Sequence, residues 1–179
     1  MKTKTLLISS AAALALLMSA AAFLSSGDSE LCTSEFAQGA YESAFRYCEK
    51  ACSKDDGGGC AGLGSLYGGG LGVKQDYKQA NTYYEKACSL NFGFGCTGLG
   101  WLYTRGHGVK QDYTQAKTYF EKACSLNDDV GCNSLGALYY NGYGVKQNKK
   151  VSKEYYGKAC DLGLQDGCDK YRKLSEQGY

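Results

Sequence analysis

Cys60-Ala61-Gly62-Leu63-Gly64-Ser65-Leu66-Tyr67-Gly68-Gly69-Gly70-Leu71-Gly72-Val73-Lys74-Gln75-Asp76-Tyr77-Lys78-Gln79-Ala80-Asn81-Thr82-Tyr83-Tyr84-Glu85-Lys86-Ala87-Cys88 reads as one helical hairpin. Leu63, Leu66 and Tyr67 stand at helical spacing, which predicts a first helix from Cys60 to about Gly68. The glycine cluster Gly68-Gly69-Gly70 ends it. A second helix is expected to start near Asp76, a residue suited to capping backbone N–H groups. Tyr77, Ala80, Tyr83, Tyr84 and Ala87 then share one face. Gly64 and Ala80 are small enough to let the two helix backbones approach closely, and Tyr67 and Tyr83 are expected to fill the space between neighbouring hairpins.

The hairpin recurs. Cysteines fall in pairs eight residues apart, Cys52/Cys60, Cys88/Cys96, Cys124/Cys132 and Cys160/Cys168, and successive pairs are offset by 36 residues. Leu63-Gly64 returns as Leu99-Gly100 and Leu135-Gly136, and Tyr67 as Tyr103 and Tyr139. The turn Gly72-Val73-Lys74-Gln75 returns at 108–111 and 144–147. A fixed period of this size is the signature of a solenoid, because one hairpin cannot bury its apolar face alone. The reading is therefore all-α: a right-handed α-solenoid of about four helix-turn-helix units plus a C-terminal capping helix. Its divisions are a truncated first repeat at 29–55, repeats at 56–91, 92–127 and 128–163, and the capping helix at 164–179. The first unit keeps Tyr41, Ala44, Tyr47 and Ala51 at second-helix positions, and the last helix has Arg172 where glycine is expected. Terminal units face water on one side and depart from the pattern for that reason.

The run Leu-Gly-x-Leu-Tyr, then Gly-x-Gly-Val, then Tyr-x-x-Ala resembles the Sel1-like repeat family, a relative of the tetratricopeptide repeat. The paired cysteines bring the resemblance closest to the exported, cysteine-rich branch of that family, the Helicobacter cysteine-rich protein type. It covers about Leu31 to Leu174. The resemblance implies a binding scaffold. As an alternative it implies penicillin binding with weak β-lactamase activity, since some relatives carry that label.

Residues 1–22 carry a positive start at Lys2 and Lys4, an apolar stretch, and the small-residue pattern Ala20-Ala21-Ala22. That order predicts a secretory signal peptide cleaved after Ala22, with the mature chain in the periplasm or outside the cell. The competing reading is an uncleaved anchor, but three serines interrupt the run from Leu6 to Leu24. The chain carries a formal charge of +2, and removing Lys2 and Lys4 leaves 18 basic against 18 acidic residues. That balance argues against nucleic acid as a partner. No membrane contact is expected after cleavage, and the molecule is expected to be a monomer.

Ten cysteines in a chain with an export signal predict a disulfide framework. Each eight-spaced pair lies at the end of one helix and the start of the next, so a bridge there ties one unit to the following one. Cys32 and Cys48 fall in register with Leu63 and Tyr84, facing each other across the first hairpin, which predicts a fifth bridge. Metal binding and redox catalysis are the alternatives, but no Cys-x-x-Cys occurs and the spacing fits no zinc pattern. Neither a cofactor nor a metal is expected.

Function is expected on the concave face. In tetratricopeptide-like solenoids the first helix of each unit lines that groove. The positions outside the core pattern are Ala61, Gly62, Ser65, Gly68 and Gly69; then Thr97, Gly98, Trp101, Thr104 and Arg105; then Asn133, Ser134, Ala137, Tyr140 and Asn141. Trp101 is the only tryptophan and takes a slot held by Ser65 and Ala137. Trp101 and Arg105 lie four apart, on one face, and both residue types are common interface anchors. Asn133 and Asn141 are expected to hydrogen-bond the backbone of an extended peptide. The binding set is Thr97, Trp101, Arg105, Asn133, Tyr140 and Asn141. The plainer reading of Trp101 is a ring that fills space left by neighbouring glycines. His107, the only histidine, sits in a variable turn slot shared with Leu71 and Tyr143 and lacks a partner for catalysis.

The enzymatic alternative finds no motif. No serine has lysine at the third position after it, and there is no Lys-Thr-Gly, Ser-Asp-Asn or Gly-x-Ser-x-Gly. The leading expectation is thus protein–protein interaction, with an unidentified protein or peptide in the groove. The small-molecule alternative is a β-lactam or cell-wall fragment. A secreted effector or antigen that engages host proteins through its convex surface is the other alternative.

Overall fold

The computed structural model describes residues 27–179, so the expected signal peptide lies outside the described residues. Among them are nine helices: α1 Asp28–Ala37, α2 Tyr41–Cys52, α3 Gly57–Gly69, α4 Tyr77–Ser89, α5 Gly93–Arg105, α6 Tyr113–Ser125, α7 Asp129–Asn141, α8 Lys149–Asp161 and α9 Gln165–Glu176. They stack as four antiparallel hairpins followed by α9, each helix packing on the one before it.

Local chemistry sets the boundaries. Asp76, Asp112 and Asn148 cap α4, α6 and α8, each accepting from two backbone N–H groups of the first turn. Gly70, Gly106 and Gly142 end α3, α5 and α7 with φ of 64°, 72° and 76°, a left-handed step that glycine makes at little cost. The turn glutamines close the hairpin: Gln75, Gln111 and Gln147 donate to the carbonyls of Gly68, Thr104 and Tyr140. The first helices begin three residues earlier than periodicity predicts. Asp56 and Asp128 accept from the N–H groups of Gly59 and Gly131, which draws the glycines before Cys60 and the residues before Cys132 into the helix.

Within each hairpin the packing is aromatic ring against bare backbone. A Cβ on Gly64 would lie 2.6 Å from the Tyr84 ring, and one on Gly98, in the next hairpin, would lie 2.7 Å from it. Phe120 seats on Gly100 and Tyr156 on Gly136 in the same way. Gly64 therefore makes room for a ring rather than for close approach of two helix backbones. Tyr67 and Tyr83 stack with centroids 5.6 Å apart inside one hairpin, and Tyr67 also meets Phe45 of the preceding hairpin at 5.7 Å. The Tyr103/Tyr119 and Tyr139/Tyr155 stacks repeat the arrangement.

Five disulfides join the units. Cys52–Cys60, Cys88–Cys96, Cys124–Cys132 and Cys160–Cys168 tie each second helix to the next first helix, and Cys32–Cys48 closes the first hairpin. A lysine reinforces three of these junctions. Lys86, Lys122 and Lys158 reach back 34 residues to donate to the carbonyls of Cys52, Cys88 and Cys124. Each ammonium thus meets a helix C-terminus, where the carbonyl dipoles favour a cation. A framework of five bridges indicates an oxidising setting outside the cytoplasm. No helix among the described residues is long and apolar enough to cross a membrane.

Candidate binding groove

First helices touch one another along the row α1, α3, α5, α7, whereas the second helices make no comparable contact with each other. The row of first helices is therefore the narrow, inner side of the stack. Its exposed positions carry the groove.

Trp101 projects from α5 and is 40% exposed, yet both its edge and its face are held. Its indole Nε1 donates to Ser134 Oγ on α7 at 3.3 Å. The Arg105 guanidinium lies 5.6 Å from the ring centroid, one turn along the same helix. Trp101, Thr104, Arg105, Ser134, Ala137, Asn141 and Tyr143 surround a recess of about 220 Å³. An exposed indole fixed in this way is ready to bury its free face without first losing rotamer freedom. With 40% of its surface exposed, the ring is not enclosed by its neighbours.

A second recess of about 300 Å³ adjoins it between α7 and α9, lined by Ala137, Tyr140, Asn141, Tyr156, Lys170, Lys173 and Leu174. Ala137 and Asn141 line both, so the two recesses adjoin across α7 and together make up the trough. Burial pushes the Tyr156 phenol above its ordinary value, and the ammonium of Lys170 lies 5.2 Å from its ring centroid. The hydrogen bond from Lys170 holds the Asp166 carboxyl below the usual carboxylate range. A third recess of about 320 Å³ sits at the other end of the face, lined by Cys32, Phe36, Gly58, Ala61, Gly62, Ser65, Phe92 and Phe94 among others.

The expected binding set divides. Trp101, Arg105, Tyr140 and Asn141 line the trough. Thr97 does not: it is 1% exposed, and its hydroxyl donates to Asp128 Oδ1 at 2.7 Å. Asp128 caps α7 at the same time, so Thr97 fastens α5 to the start of α7. Ala61 and Gly98 are buried as well. Asn133 is already engaged, donating to Asp166 at 3.0 Å and accepting from Lys170 at 3.3 Å, which joins α7 to α9 and leaves its amide one free N–H and one free lone pair. Asn141 donates to the Ala137 carbonyl within its own helix. His107 stacks on Tyr77 with centroids 4.4 Å apart, a packing contact between turns. Replacing Thr97 by valine removes one buried hydrogen bond without changing shape. We expect a loss of about 1–2 kcal/mol in urea unfolding, and unchanged binding of any groove partner by the folded fraction.

Phe92, Phe94, Lys170 and Lys173 also line these recesses, though the sequence reading does not place them in the binding set. Phe92 takes the helix-capping slot of Asp56 and Asp128, and Lys173 takes the slot of Trp101. Both are departures from the repeat, which is the signal that would have found them.

The arrangement defines a class: a disulfide-linked, all-α solenoid with an anchored aromatic on its inner face. Sel1 repeat models match residues 38–56, 58–92, 94–128 and 130–164, and the chain belongs to the Sel1 repeat family. Among solved structures, a Sel1 repeat protein from Oxalobacter formigenes superposes with a TM-score of 0.75 at 24% identity, over 86% of this chain and 61% of that one. A protective antigen of uropathogenic Escherichia coli with an SLR fold gives 0.67 at 26% identity, over 76% of this chain and 29% of that one. Helicobacter pylori cysteine rich protein B gives 0.59 at 38% identity, over 72% of this chain and 92% of that one. The chain thus spans less than two thirds of the length of the first two. No curated protein matches it. A Sel1 repeat scaffold is a fold consistent with protein–protein interaction.

Proposed function

We propose that the chain is an exported scaffold, acting in the periplasm or outside the cell, that grips another protein in its concave groove. Trp101 carries this reading. An indole that stays 40% exposed while a hydrogen bond and a guanidinium fix its position is arranged to meet something. Interface energy concentrates in such Trp and Arg anchors. The repeat divisions proposed from the sequence, 29–55 through 164–179, supply the scaffold. A monomer with neither metal nor cofactor suffices for this role.

The test is site-specific photo-crosslinking in the native envelope. A photoreactive residue at Thr104, in the trough, should yield an adduct with a partner protein. One at Thr118, on α6, should not. Trp101→Ala should weaken that partner by about 30-fold, which is about 2 kcal/mol, without altering the thermal unfolding midpoint. Equal crosslinking from Thr118 would instead favour an effector or antigen that works through its convex face; a protective antigen of uropathogenic E. coli shares the fold. Sustained hydrolysis of penicillin by the oxidised protein, or a covalent mass adduct, would overturn the scaffold reading in favour of β-lactam chemistry.

A further inference from the structure

The repeats cancel one another along the scaffold, so the chemistry of the groove lies in how its two ends differ. The α1–α5 end has no charged lining residue. Its recess is made by Phe36, Ala61, Phe92 and Phe94 over the Cys32–Cys48 disulfide. A Cβ on Gly62 would strike both sulfurs at 2.7 Å, so the bridge can pack against α3 only because that residue is glycine. Phe92 and Phe94 remain 41% and 38% exposed. The α5–α9 end is cationic. Arg105, Lys170 and Lys173 line it. Lys170 is neutralised by Asp166 at 2.6 Å. Arg105 and Lys173 have no carboxylate partner among the described residues.

We infer that the groove is polarised for one kind of occupant: an extended segment of another protein with an aromatic side chain followed by two Asp or Glu side chains. This rests on the groove reading above. Arg105 and Lys173 stand on α5 and α9, two first-helix spacings apart, which is about 20 Å at ordinary helix packing distances. One carboxylate cannot satisfy both, so separate side chains are required rather than a chain terminus. The apolar recess lies about two spacings from Asn141, at the middle of the cationic trough, and extended chain covers that in about six residues. The aromatic ring fills the α1–α5 recess, Trp101 covers the segment between, and the carboxylates meet Arg105 and Lys173. Exposed ammonium and guanidinium groups add specificity and on-rate, and salt screens them.

The experiment uses a displayed library of random 12-residue peptides selected against the oxidised protein. Enriched peptides should carry an aromatic residue and at least two acidic residues beginning about six positions away. The leading peptide, synthesised with an amidated C-terminus, should bind at least 10-fold more weakly to Arg105→Glu/Lys173→Glu and to Phe94→Ser. It should also weaken between 50 and 500 mM NaCl. Circular dichroism confirms that each variant is folded. Peptides without acidic enrichment, or a leading peptide indifferent to the charge reversal, overturn the inference. If Trp101→Ala still abolishes their binding, the groove reading stands alone. If enriched peptides ignore Trp101→Ala as well, both fall.

Discussion

Reduction of all five disulfides in mild denaturant is expected to abolish the helical circular-dichroism signal at temperatures where the oxidised chain is fully folded. The reason lies in the thinness of the core. The buried apolar residues form three small clusters strung along the stack, and many members are Ala or Cys rather than large side chains. In the chain-entropy account each eight-residue bridge destabilises the unfolded chain by about 2.5 kcal/mol, and the sixteen-residue Cys32–Cys48 bridge by about 3. Together they reach about 13 kcal/mol, as large as the whole stability of a typical domain. One bridge removed as Cys124→Ser/Cys132→Ser should lower stability by about 2.5 kcal/mol in urea titration and leave the fold intact. A fully reduced chain that kept its helical signal would show that packing alone suffices, and would refute the account.

Gly95→Ala is expected to lower stability by about 3 kcal/mol or more, among the larger single-residue effects. Its added methyl would lie 2.5 Å from Ala87 Cβ and 2.8 Å from the backbone nitrogen of Cys88. Neither can yield, because the Cys88–Cys96 bridge pins α4 to α5 beside that contact. At Gly100 the same methyl meets the edge of the Phe120 ring, which can tilt, so Gly100→Ala should cost less, about 1–3 kcal/mol. The order of the two losses, measured by chemical denaturation, is the check. A Gly95 variant as stable as the parent would mean that the helices can separate and that close backbone contact does not hold the junction.

The fold was legible because it repeats. Periodicity at 36 residues carried the hairpins, and the cysteine register carried the junctions, since both are sums of identical local decisions. Helix starts were less legible. Gly57-Gly58-Gly59 reads as a breaker until the Asp56 carboxylate is seen accepting from Gly59. The site was legible where a residue broke the repeat and faced outward, as with Trp101 and Arg105. Thr97 and Asn133 also break it, but they spend their polar atoms on the next helix, and nothing in one helix's sequence reveals a partner 31 or 33 residues away. Lys173 departs from the repeat at the slot of Trp101, but departures are expected wherever a terminal helix faces water, so the departure alone does not mark a groove residue.

The bridges have one further property: every cysteine is joined to the next cysteine along the chain. A chain delivered N-terminus first into an oxidising compartment therefore meets each correct thiol before any wrong one. Oxidation in order of emergence would produce the native connectivity with no reshuffling, so a simple oxidant is expected to suffice without an isomerase. Maturation would then be vectorial, each junction closing as the first helix of the next hairpin arrives.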